Sequence, residues 1–166
     1  MDLDQQIQTL ITNAPQDGTT PDVVEAIAPA LKAIAEQLHR EQYYILQTLD
    51  ERWVLTTLRN LDQPKLEKRV LYAYPNVKDA SARAHPTSGA TMVAVPLPVI
   101  HILFQMLAIQ PLDSIVFLEI PGNLEAGTEV KREEIQGLVQ EYLQRYQVER
   151  RYQADHPAPY IPPDLA

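Results

Sequence analysis

The sequence predicts an α+β domain: helices at the N-terminus, then a mixed sheet of five strands covered by helices. Three observations predict it. Apolar residues recur at helical spacing as far as Leu38, aromatic and β-branched residues take over from Tyr43, and a nearly continuous apolar run occupies Ser114 to Ile120. At 166 residues the chain suits one domain, residues 1–153, in which 1–42 form a helical part and 43–153 carry the sheet and its covering helices. Residues 154–166 read as a proline-rich extended tail.

Leu3, Ile7, Leu10 and Ile11 form the stripe of a first short helix, which ends before the turn-rich Ala14-Pro15-Gln16-Asp17-Gly18. Thr20-Pro21-Asp22 supplies an N-cap, a proline at the first helical position and a first-turn acid for a second helix through Leu38. Pro29 lies inside that helix and should kink it. Residues 43–49 and 52–58 then read as strands separated by Asp50-Glu51, and because neither is glycine a loop slightly longer than two residues is expected. Leu66 to Tyr74 reads as a third strand, with Val70, Tyr72 and Tyr74 on one face and Leu71 and Ala73 on the other. These three strands should form an antiparallel meander.

Asn76 can cap a short helix through Arg83, followed by a loop at His85 to Gly89. Thr91 to Val95 is a short strand, Leu97-Pro98 opens an apolar helix to about Ile109, and Ser114 to Ile120 has the pattern of a strand buried on both faces. Strand, helix, strand in that order implies a parallel pair with a crossover. Pro121-Gly122-Asn123 is a turn. A last helix runs from about Val130 to Tyr152, with Glu133 and Glu134 early and Arg145, Arg150 and Arg151 late, matching the helix dipole.

Charge and composition narrow the function. With no cysteine, disulfides, thiolate metal sites and cysteine nucleophiles are excluded. The net charge is −8, and residues 1–42 contribute 2 − 7 = −5 of it. Nucleic acid and anionic membranes need a basic footprint, so neither is expected as a partner. The acidic start lacks a signal-peptide pattern, and the apolar stretch from Met92 to Leu112 is broken by prolines and polar residues, so membrane insertion is not expected. A cytoplasmic location is expected.

Residues Leu71 to Ile135 resemble the SseB N-terminal-type domain. In that family a strand ends on an aromatic and small-residue step before a short helix, as at Ala73-Tyr74-Pro75-Asn76. A short strand leads into an apolar helix, as at Val93-Ala94-Val95-Pro96-Leu97, and a buried strand closes on a proline–glycine turn, as from Ile115 to Gly122. The family tends to place asparagine before that turn; Ile120 stands there, so no site resting on it is carried over. The resemblance implies an α+β domain and carries over no catalytic activity. Residues Tyr43 to Leu58 also resemble small uncharacterised cyanobacterial proteins, which would imply an accessory factor for a photosynthetic complex.

Chemistry-bearing residues are sparse. The histidines, His39, His85, His101 and His156, share no paired metal-ligand spacing. His101 precedes Gln105 by one helical turn, an arrangement suited to a shared metal or general-base role or to a hydrogen-bonded core histidine. Ser81, Ser88 and Ser114 lie in no nucleophile elbow, and five dispersed glycines form no phosphate-binding loop. Asp2/Asp4, Asp50/Glu51 and Glu133/Glu134 fall at termini or turns, where water keeps carboxylates ionised. No cofactor and no metal site is expected, and no catalytic residue is assigned.

Two surfaces remain. Arg145, Arg150 and Arg151, interleaved with Tyr142, Tyr146 and Tyr152, would suit a protein partner with an acidic patch. Tyr160 and Ile161, bracketed by prolines in the tail, could fold back over the domain, dock on a partner, or stay free. The function expected is therefore that of a non-enzymatic adaptor or assembly factor acting by protein–protein recognition, with self-association open. The alternative is a small-molecule-binding or hydrolytic domain using the loop at Pro121, Gly122 and Asn123.

Overall fold

The structure, a computed structural model, describes residues 1–59, 61–63, 65–84 and 91–155. The chain is α+β. Its elements in order are α1 (Leu3–Asn13), α2 (Thr20–Ala35), β1 (Gln42–Thr48), β2 (Thr56–Arg59), β3 (Glu67–Ala73), α3 (Val77–Arg83), β4 (Met92–Pro98), α4 (Val99–Ala108), β5 (Ser114–Leu118), β6 (Gly127–Lys131) and α5 (Arg132–Asp155).

The strands form two sheets rather than one, with orders β1-β4 and β2-β3-β5-β6. β2 and β3 are antiparallel as expected, but β1 joins no meander. It pairs along its length with β4, from Gln42 opposite Pro98 to Thr48 opposite Met92. The sheets meet where Tyr44 and Tyr74 exchange backbone hydrogen bonds of 2.8 and 2.9 Å. The parallel pair is also not the expected one: β3, not β4, lies beside β5, with Leu71 opposite Ile115. Prolines explain the difference. Pro96 and Pro98 lack the N–H that a ladder needs, which suits β4 to a two-stranded ribbon and not to a place between neighbours.

Alternation along the strands sorts the interior into two layers. Tyr43, Ile45, Leu71, Ala73, Ile115 and Phe117 face the main core, where α2, α4 and α5 close over both sheets. Leu46, Tyr74 and Leu118 face the opposite side, with Tyr72 and Val116 beside them, and pack with Ala80 of α3. The expected faces of β3 are thus realised. β5 runs between β3 and β6, and its Phe117 ring meets Tyr43 edge-on at 4.9 Å.

Local details follow the chemistry with two corrections. Thr20 does not cap α2; the Asp17 carboxylate accepts from the Thr19 and Thr20 N–H groups and the Thr20 hydroxyl, and these bonds hold its pKa at about 2. Asn76 caps α3 as expected, accepting from the Asp79 N–H at 2.8 Å. β6 is a strand not identified from the sequence, and its Val130 and Lys131 lie where the last helix was expected to begin. β6 begins at Gly127, whose backbone lies so close to β5 that a Cβ there would sit 2.8 Å from a Val116 methyl and 3.0 Å from the Phe117 carbonyl oxygen.

Candidate functional site

The hairpin after β1 turns in three residues. The Thr48 N–H bonds to the Arg52 carbonyl, and Glu51 takes φ 64°, a left-handed conformation that glycine adopts more easily. The longer loop expected from the missing glycine is the loop observed. Beyond it, Gln47 bridges to Trp53 and the Val54 N–H donates to the Leu46 carbonyl at 3.0 Å, after which the chain crosses to the other sheet and enters β2 at Thr56. That crossing leaves Trp53 and Leu55 as one wall of a groove.

α4 contributes His101 and Gln105 to the groove, and the β1–β4 ribbon contributes Gln47, Val95 and Leu97. The groove holds about 660 Å³, within the roughly 300–1,000 Å³ of ligand-sized sites. Trp53, Leu55, Val95, Leu97, Ile109 and Pro111 line it with apolar surface, and Gln47, Glu51, Arg52, His101 and Gln105 bring polar heads to it. A smaller hollow of about 210 Å³, lined by Leu10 and Phe104 among others, lies across His101 and Gln105, which border both.

His101 is half-buried, and burial lowers its pKa from the ordinary 6.5, so the ring is neutral at pH 7. Among the described residues, the side chains of Gln47, His101 and Gln105 make no hydrogen bond within the protein. Half-buried polar groups that face a groove keep their donors and acceptors open to water or to a ligand. Three converging on one apolar groove are suited to a ligand's donors and acceptors. Arg52 is committed in part to Asp50, 3.0 Å away, on an exposed turn.

The other sequence candidates are placed as follows. Gly122 adopts φ 78°, and its N–H donates to Asp79 at 2.8 Å. Asn123 accepts from the N–H groups of Glu125 and Ala126, and its own N–H goes to Ile120. The turn at Pro121 is therefore closed by its own bonds. In α5, Arg145 pairs with Glu141 at 2.9 Å and lies over Tyr142 at 5.0 Å, while Arg150 lies 5.9 Å from the Tyr146 ring centre and bonds its hydroxyl. These guanidiniums occupy ring faces that would otherwise stack on bases. Arg151 is exposed, as is every residue from Gln147 to Asp155. Ser114 is buried and donates to Glu129 at 3.3 Å. His85, Ser88, His156, Tyr160 and Ile161 lie outside the described residues.

Among the described residues, no group of three His, Asp or Glu could hold a metal ion, and no helix is long and apolar enough to cross a membrane. No family model and no curated protein matches the chain. The sequence reading weighed His101 and Gln105 together but missed the groove, because Trp53 and Leu55 come from a segment that it assigned to a strand.

Proposed function

We propose that this protein is a non-enzymatic interaction module that recognises a partner protein by holding an extended, proline-bracketed apolar segment in the Trp53 groove. The observation that carries this reading is the set of unpaired Gln47, His101 and Gln105 side chains above an apolar, Trp-bearing surface. An extended polyproline segment makes no internal hydrogen bonds, so its carbonyls need donors from its receptor, and its rings pack on flat aromatic faces. The two amides and the imidazole can donate, and Trp53 supplies the face.

The test is a photo-crosslinking amino acid placed at Gln105 and irradiated in the native host. The expected product is a protein adduct whose crosslinked peptide contains an apolar residue between prolines. Adducts that map to no such segment, or a small molecule alone in the groove, would overturn the reading.

A further inference from the structure

Resting on that groove reading, we infer that its occupant is residues 157–163 of a second copy of this chain. Pro157-Ala158-Pro159-Tyr160-Ile161-Pro162-Pro163 carries no charge and brackets two apolar side chains with prolines. The prolines fix φ near the polyproline value, so little conformational freedom is lost on docking. An uncharged extended segment matches the apolar lining with the Gln47 and Gln105 amides and the His101 imidazole, while the charged Glu51 and Arg52 are exposed on the turn that borders the groove.

The structure excludes the same copy as donor. α5 starts beside the groove, because Arg132 donates from Nε to the Leu112 carbonyl at 2.6 Å and from Nη2 to Met106 at 2.8 Å and to Ile109, a groove residue. From there its 24 residues carry the chain about 36 Å away at 1.5 Å per residue. Tyr160 follows Asp155 by five residues, which span at most about 18 Å. The tail therefore reaches back only about half of the distance. A second copy meets no such limit, and reciprocal exchange of two tails closes the assembly as a symmetric dimer.

The experiment uses the full chain, whose one tryptophan, Trp53, sits in the groove as a reporter. Sedimentation across a dilution series is expected to show a dimer, with Trp53 emission shifting as it dissociates. The double variant Tyr160→Asp, Ile161→Asp should dimerise roughly tenfold or more weakly. A synthetic peptide of residues 154–166 should restore the bound-state emission in that variant. A monomer at every concentration, a dimer unaffected by the double variant, or a variant that dissociates with no change in Trp53 emission would each overturn the inference. If an unrelated oligoproline bearing one leucine shifts Trp53 and the chain's own peptide does not, this inference fails and the groove reading stands. If neither peptide shifts it, both fail.

Discussion

Removing the Phe117 ring tests the core at its centre. Phe117 is fully buried on β5, and its ring packs edge-on against Tyr43 at 4.9 Å. Phe→Ala in a core costs about 3–5 kcal/mol, and the cost rises where the surroundings cannot collapse into the cavity. Here they are held. The Tyr43 hydroxyl is fixed at 2.9 Å by both carboxylate oxygens of Glu119, and burial followed by that bond pushes its pKa well up. Tyr43 therefore cannot swing into the void without losing its partner, which places Phe117→Ala in the upper half, at about 4–5 kcal/mol. With a urea slope of about 2 kcal/mol/M, the midpoint should fall by about 2 M. Equilibrium unfolding followed by Trp53 emission and far-ultraviolet circular dichroism would measure it, and coincident curves would establish that one transition is being read. Phe117→Leu, which keeps most of the volume, should cost less than about 1.5 kcal/mol. A midpoint shift below about 0.5 M for Phe117→Ala would refute the central placement of β5 and the rigidity assigned to Tyr43.

Four further expectations follow from the geometry. Gly127→Ala should cost about 1–3 kcal/mol, because the new methyl meets the β5 backbone; an unchanged melting temperature would contradict the β5–β6 register. Glu51→Gly relieves a left-handed residue worth about 1–2 kcal/mol against a glycine entropy cost of about 0.5–1, so denaturant unfolding should show a small net gain in stability. Gln6→Leu should cost about 2–3 kcal/mol in the same assay, since the buried amide donates to the Met1 and Glu41 carbonyls and accepts from the Ile100 N–H at the start of α4. Burial depresses the His101 pKa, so more protons bind the unfolded chain at acid pH. That penalty is absent above the ordinary 6.5, sets in as pH falls through it, and is complete below the folded value; His101→Gln should flatten this part of the stability profile, and identical profiles for the two proteins would show that the ring is not desolvated.

Elements whose signal is local can be read from neighbouring residues. The capping asparagine at 76, the two faces of β3, the buried run of β5 and a turn longer than two residues at Asp50-Glu51 each depend on a few neighbouring residues. Pairing depends on residues far apart in the chain, and there tertiary structure decided. Tyr43 to Thr48 has the alternation of any half-buried strand, and nothing local states that its partner is Met92 to Pro98 and not the strand that follows it. The two prolines of β4 carried part of that answer, as a limit on how many neighbours a strand without those donors can have. β6 escaped because a glycine-led, charge-alternating segment of five residues has no strong strand signal; its place comes from the close approach that Gly127 allows. The groove was beyond sequence reasoning for the same reason. Trp53, Val95 and His101 are brought together by the β1–β4 pairing and by the bridge from Gln47 to Trp53, and only the folded chain makes those separations short.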